Sequence, residues 1–347
     1  MILLELALAL AAAVRLGHAF GAGADFSVYF SAIRLWLSGQ NPYTVGVGFI
    51  YPPSFLAFFS WLALFPREMA GRIFFLGSLS ILTAVFYSFR KVLGKWCLPL
   101  FLLMLNWFPV INTLGMGQVN LWVLGCCLLS FYSCEKGKMK KAGIWLGVAA
   151  GMKVIPLLLL PYFWLTGKKK TAMVGFLTFI ILNMFATNYL SVIRSTAVVN
   201  NPYYFNQSLP ALMSRMGEVP SWVWLEGIGI IYGLALVKSA SRGFGLFGFA
   251  LMLTTMTLIS PTAWSHYFVF MIPGVIFLVS LRPWHHPWLW ECGLLLTGLV
   301  LTDPSLWQKS DLVYNHGAIG GIMIWLAMMM TRLPRFARND RVVIARE

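Results

Sequence analysis

Residues 121–141 read LWVLGCCLLSFYSCEKGKMKK, and this stretch decides the fold. Its first twelve residues carry no charge, while Lys136, Lys138, Lys140 and Lys141 crowd its end. A segment apolar on all sides belongs in a large core or in lipid. A short basic cluster straight after it is what the positive-inside bias leaves on the cytoplasmic side of a span. Further apolar runs recur along the chain: LPLFLLMLNWFPVI from Leu98, VGFLTFIILNMFA from Val174 and YFVFMIPGVIFLVSL from Tyr267. Spanning a bilayer takes about 20 mostly apolar residues, fewer where a segment is short or re-entrant. Only 11% of the 347 residues are charged, against about 25% in an ordinary soluble domain. The composition therefore describes an all-α polytopic membrane protein and excludes a soluble enzyme.

The net charge of +15 could suggest a nucleic-acid partner. Its distribution argues otherwise, because the basic residues sit in short clusters between apolar runs: Lys168, Lys169 and Lys170, for example, and Arg332, Arg335, Arg338, Arg341 and Arg346 in the tail. Threading the chain with its amino terminus inside predicts about twelve spans (ten to twelve), with the first over residues 2–20 and the second over 70–89. A first outer loop falls at 21–69, a long outer loop at 188–220 and a basic cytoplasmic tail at 332–347, all in one integral domain, 1–347. Eighteen of the 26 Lys and Arg then lie inside. Asp25, Glu68, Glu218, Glu226, Asp303 and Asp311 lie at outer loops or outer span ends, an acidic bias that agrees with the basic one. The first segment is expected to be a retained span rather than a cleaved leader, because no basic stretch precedes its apolar run. The five cysteines have no metal-ligand spacing and are expected as free thiols.

Polar, irregular sequence gathers on the predicted outer face in five places. The first is GADFSVYFSAIRLWLSGQNPYTVGVGFIYPP, from Gly23 to Pro53. Asp25 directly follows the first span, and FSVYFSAIRLWLSG has the pattern of an interfacial helix. Asp25 can be that helix's N-cap. It can also be a general base, since a carboxylate at a span boundary can have its proton affinity raised toward neutrality. Asn-Pro-Tyr and Tyr-Pro-Pro, which contains Tyr51, shape the loop that follows. The second place is GMGQVN, where Gln118 and Asn120 offer amides beside glycines that equally suit a plain tight turn. The third is GVAAGMKVIP, where Lys153 at an outer span end either snorkels or meets an anion. The fourth is NQSLPALMSRM, with Asn206, Gln207 and, further on, Arg215, a set that suits a phosphate or a sugar. The fifth is SPTAWSHYF, where His266 is either an interfacial residue or part of a site. His285 and His286 fall in an inner loop and are expected to be inert.

No paired-carboxylate metal motif, H-E-x-x-H, P-loop, G-x-G-x-x-G or G-x-S-x-G is present. Taken in order, DFSVYFSAIRLWLSGQNPY, YPP, GQVN, GVAAGMKVIP, NQSLPALMSR and SPTAWSHY resemble the polytopic GT-C glycosyltransferases, specifically glycosyltransferase family 87. Its best-known members are polyprenyl-phosphate-mannose-dependent α-mannosyltransferases. The resemblance covers residues 25–267. It implies a GT-C fold, a polyprenyl-phosphate sugar as donor, a glycolipid or glycan acceptor, no nucleotide sugar, no cofactor and no metal. It places Asp25 at the family's catalytic base. Inverting transfer on the outer face of the plasma membrane would then leave a lipid phosphate to be stabilised by Lys153, Arg215 and His266, with Arg34 serving phosphate or lipid headgroup. Gln118, Asn120, Asn206, Gln207 and Tyr51 are candidates for holding sugar or acceptor. Family habit favours mannose, and the acceptor stays open. The inner stub before the first span is shorter than the family's pattern.

Two readings compete with this one. A transporter or flippase of a lipid-linked or polar substrate would also be polytopic, but transporters place their ionisable groups near the bilayer midplane. An acyltransferase would want a histidine with an acyl donor reachable from inside.

Overall fold

The structure is a computed structural model and describes residues 2–21, 23–44, 48–184, 189, 192, 204–215, 217, 220–281, 287–299 and 314–331. Glu218, His285, His286, Asp303, Asp311 and the basic tail at 332–347 lie outside the described residues. Among the described residues every regular element is helical, and the one β pairing is an isolated bridge between Asn206 and Trp264. Two helical stretches, Ile2–Leu37 and Arg67–Asn106, are long and apolar enough to cross a bilayer. A third candidate is a bent pair, Phe108–Met116 with Asn120–Glu135, whose axes turn by 111°. The protein is thus an all-helical membrane protein. The chain divides into two compact units and enters each more than once.

The first unit comprises residues 1–87, 95–157 and 170–199. It contains α1 (Ile2–Ala19), α2 (Ala24–Leu37), α3 (Pro53–Phe59), most of α4 (Arg67–Leu93), α5 (Cys97–Asn106), α6 (Phe108–Met116), α7 (Asn120–Glu135), α8 (Met139–Met152) and nearly all of α10 (Lys169–Asn183). Ile2, Leu3, Leu4, Leu6, Leu10 and Val14 leave α1 apolar and exposed on its outer side, as a lipid-facing helix must be. Arg15 of α1 is satisfied by donating to the Asn106 carbonyl at the end of α5, 2.8 Å away. That is where the helix dipole favours a cation. Glycines 143, 147 and 151 recur every fourth residue along α8. A Cβ on Gly143 would lie 2.6 Å from Val174 Cβ, and one on Gly147 would overlap Thr178. Small residues on one stripe let helices approach closely where no water drives them together, and here they seat α8 on α10.

The second unit comprises residues 88–94, 158–169 and 200–347. It contains α9 (Leu160–Leu165), α11 (Leu209–Arg215), α12 (Ser221–Ser241), α13 (Leu246–Ile259), α14 (Ile272–Ser280), α15 (Pro287–Gly298) and α16 (His316–Met330). Every residue of α13 is buried. It is apolar around its whole circumference, so it fills the middle of this unit, with α12, α14 and α16 packed on it. Helices α15 and α16 cross at Gly293 and Gly320, where a Cβ on either would sit 2.6–2.7 Å from the other's carbonyl oxygen.

Candidate active site

The first unit builds its polar cluster from the loop between α6 and α7. Gly117 closes α6 in the left-handed conformation, with φ of 69°. The Gly117 N–H donates to Leu114 O at 3.1 Å and the Gln118 N–H to Thr113 O at 2.8 Å. This is a Schellman cap, which glycine closes without a Cβ penalty. The cap also touches α2. A Cβ on Gly117 would lie 2.5 Å from Phe26 Cβ, and one on Gly23 would collide with the Gly115 carbonyl. Gly23 and Gly117 therefore let the first turn of α2 press against the end of α6, which sets Asp25 beside Gln118.

Gln118 Nε2 donates to Asp25 Oδ2 at 2.5 Å. Among the described residues, the carboxylate's other oxygen has no hydrogen-bond partner. The far end of the same amide, Oε1, lies 2.9 Å from the Tyr29 hydroxyl and 3.1 Å from the Tyr51 hydroxyl, and the two phenols are 2.7 Å apart. Lys153 follows the last turn of α8, buried to 7% exposure. Its ammonium donates to Asn120 Oδ1 at 2.7 Å and lies 5.7 Å from the Tyr51 ring centre. It is also within electrostatic reach of Asp25. Asp25, Tyr51, Gln118, Asn120 and Lys153, five residues read from the sequence as candidates, thus meet in one place, joined by Tyr29. An aromatic bed supports them. Tyr29 lies 5.0 Å from Tyr51 and 4.8 Å from Phe55, and Phe55, Phe59, Phe74 and Trp122 continue the contacts.

The structure decides against the N-cap reading of Asp25. The N-cap of α2 is Gly23 with no side-chain cap bond, so Asp25 sits inside the first turn and its carboxylate bonds Gln118 instead. Arg34 does not join the cluster. Nine residues at about 100° each place it on the side of α2 opposite Asp25, and it is exposed.

The second unit has its own polar cluster, built on backbone. Asn206 Oδ1 accepts from the N–H groups of Ala263 (3.0 Å) and Ser208 (3.3 Å), and its Nδ2 donates to Pro261 O at 3.0 Å. The NQS and SPTAW segments are thereby stapled together. Gln207 fills all four of its hydrogen-bonding positions. Nε2 donates to the carbonyls of Tyr204 and Tyr314, and Oε1 accepts the Gly317 and Ala318 N–H groups that open α16. Arg215 donates from Nε to Asn315 Oδ1 (2.7 Å) and from an Nη to Asn206 O (2.9 Å), with its guanidinium 4.9 Å from the Tyr314 ring centre. Burial draws it down to about 10, with Tyr314 and Tyr204 opposing that shift, so it stays charged at neutral pH. His266 is buried at 4% exposure against Trp264 and Tyr267.

Sequence reading passed over Tyr29, Tyr204, Asn315 and His316 as site members. His316 Nδ1 lies 2.7 Å from Leu296 O, a carbonyl that can only accept, so in the neutral ring Nε2 is the acceptor for the Tyr204 hydroxyl at 2.9 Å. Tyr29 alone had a signal in the sequence, lying one turn after Asp25. The others follow a stretch without pattern and are recognisable only by their contacts.

Residues 49–261, well over half of the chain, match the model of glycosyltransferase family 87. The chain belongs to glycosyltransferase family 87. It is therefore a membrane glycosyltransferase. A relative is the polyprenol-phosphate-mannose-dependent alpha-(1-2)-phosphatidylinositol pentamannoside mannosyltransferase of Mycolicibacterium smegmatis. It is 25% identical over 329 residues, which cover 84% of this chain and 78% of the relative. No solved structure matches the chain. The family 87 match starts after Asp25 and stops before His266, so these two rest on geometry and motif order. Tyr51, Gln118 and Lys153 lie inside it.

Proposed function

We propose that this family 87 enzyme moves a hexosyl residue, mannosyl foremost, from a polyprenyl-phosphate sugar to a glycolipid or glycan acceptor. The transfer takes place on the outer face of the plasma membrane, inverts the anomeric centre and uses no metal. The supporting fold is a GT-C arrangement of about twelve spans, with the loops at 21–69 and 188–220 on the outer side. The observation that carries the reading is the Asp25 carboxylate, held through one oxygen by Gln118, with the Lys153 ammonium in the same cluster. The polyprenol-phosphate-mannose dependence in the name of the Mycolicibacterium smegmatis relative supports the donor class and the favoured sugar.

The chemistry follows from those groups. Asp25 takes the proton of an acceptor hydroxyl as that oxygen attacks the anomeric carbon. The bond from that carbon to the phosphate oxygen breaks, and polyprenyl phosphate departs with one more negative charge than it carried as a diester. The carboxylate has become neutral in the same step, so charge moves from the base to the leaving phosphate. A preorganised cation at that oxygen is worth several kcal/mol in a site screened from water. Lys153 is the group assigned to it. Arg215 and His266, in the second unit, are assigned to the donor by the order of the family motifs.

The test is transfer by the full chain in nanodiscs, with EDTA present, from a panel of radiolabelled polyprenyl-phosphate sugars to extracted lipids. Transfer from one donor that is lost in Asp25→Asn supports the reading. Transfer retained by Asp25→Asn removes Asp25 as the base, and dependence on added divalent metal removes the metal-free step.

A further inference from the structure

We propose that Tyr29 and Tyr51 are positioning residues for Asp25, acting through the side chain of Gln118, whose amide they lock with its nitrogen toward the carboxylate. This rests on the reading of Asp25 as the base. An amide is nearly symmetric in shape but not in chemistry: one end donates and the other only accepts. The inverted amide would bring Oε1 to about the place Nε2 now occupies, 2.5 Å from a carboxylate oxygen, acceptor against acceptor.

The ionised carboxylate can hold the amide by itself, but a general base does not stay ionised. As the acceptor's proton reaches the unengaged oxygen of Asp25, its charge fades and its grip on Nε2 weakens. A second hold that does not change charge during the reaction keeps the amide in place. The two phenols supply it at the opposite end, at 2.9 and 3.1 Å from Oε1. Each hydroxyl is within donating distance of Oε1, so a proton from either can point at it.

Their placement does not depend on Asp25. Tyr29 is 2% exposed on the buried face of α2, edge-on to both Tyr51 and Phe55. Tyr51 packs 5.0 Å from Phe55, and its backbone carbonyl accepts from the Tyr43 hydroxyl at 3.1 Å. The hydroxyls are thus set by aromatic packing, and the amide orientation follows from them. Hydrogen bonds in such a chain polarise one another, which ties the two phenols to a carboxylate they do not touch.

Phenylalanine keeps the packing and removes only the hydroxyl, so the test uses Tyr29→Phe, Tyr51→Phe and the double variant. Each is made in the full chain and in a Gln118→Leu background, with kcat and donor KM measured for polyprenyl-phosphate mannose in nanodiscs. The double variant is expected to lose about 10- to 30-fold in kcat, two hydrogen bonds of ordinary strength, with donor KM within about twofold. In the Gln118→Leu background the same changes should alter kcat by less than about twofold, because the connection to Asp25 is already gone. Equal losses in both backgrounds, or a loss carried by KM, overturn the proposal. If the double variant does not fold, as judged by thermal unfolding, the single variants decide by the same comparison. Asp25→Asn is measured alongside. If it still transfers, the reading of Asp25 falls and this inference with it. If it is dead and the tyrosine losses are equal in both backgrounds, only the inference falls.

Discussion

Both units concentrate polar side chains, but they use them in opposite ways. In the first, Asp25, Gln118, Tyr29 and Tyr51 bond to one another, and among the described residues one carboxylate oxygen is left over. In the second, Asn206, Gln207 and Arg215 bond largely to backbone groups. Side chains that satisfy backbone groups shape loops and helix ends, because a buried peptide group left unpaired is costly. Side chains that satisfy each other leave the backbone alone and can present a reactive atom. By that criterion the first cluster is the one suited to the base chemistry proposed above, and the second holds a loop in position around the Arg215 guanidinium.

Asp25→Asn should break this contrast most sharply. It removes the base while keeping the size of the side chain, and its expected cost is about 10²- to 10⁴-fold in kcat, the usual contribution of general base catalysis. Thermal stability should hardly move, since Asp25 is not the α2 cap. A variant that loses folding along with activity would show Asp25 to be as structural as Asn206.

Lys153→Met comes next, with an expected loss of about 10²-fold in kcat, comparable to removing one oriented donor from a developing anion. Its stability should fall by about 1–3 kcal/mol, because the buried Asn120 Oδ1 loses its donor and Asp25 loses a nearby cation. Lys153→Arg keeps the charge and should recover part of the rate. If Lys153→Met lowers the unfolding temperature and leaves kcat alone, Lys153 belongs with the loop-builders.

Gln207→Leu is the mirror experiment. It strips partners from two N–H groups at the start of α16 and from two carbonyls, and should destabilise by about 3 kcal/mol after partial rehydration. The rate per folded molecule should stay within about threefold. Thermal unfolding and active-fraction kinetics separate the two effects. A rate loss that outruns the stability loss would return Gln207 to the sugar-binding role its sequence context suggests.

Much of the first cluster was legible because polar residues are scarce in this chain, so those at span ends stand out. Asp25 and Tyr51, Gln118 and Asn120, and Lys153 come from three separate segments of the chain, and the structure brings all five together. Their connection was not legible. That Gly23 and Gly117 bring α2 onto the α6 cap, and that the Tyr29 and Tyr51 hydroxyls meet at one oxygen, are tertiary facts with no local signature. The same holds for Gln207, since amides for a sugar and amides for a helix end look alike in sequence. Helicity was plain from the apolar runs. Helix boundaries were less so, because the bend at GMGQVN divides what reads as a turn between two continuous spans into a broken pair.

Arg34→Ala should have the smallest effect, and its size tests the geometry most finely. A cation two and a half turns from Asp25 sits near a site in sequence, yet helical phase carries it to the far side of α2. An exposed arginine there can meet lipid headgroups but cannot face the carboxylate without a change in α2 itself. Transfer by Arg34→Ala in neutral-lipid nanodiscs should therefore stay within about twofold of the parent, the scale of ordinary surface substitutions. In nanodiscs rich in anionic lipid a modest change is still expected, because each basic residue at such a surface is worth about 1 kcal/mol. Loss of donor affinity in neutral lipid would instead mean that the sugar phosphate lies on the exposed side of α2, away from Asp25. The division between a reactive first cluster and a supporting second one would then have to be redrawn around that helix.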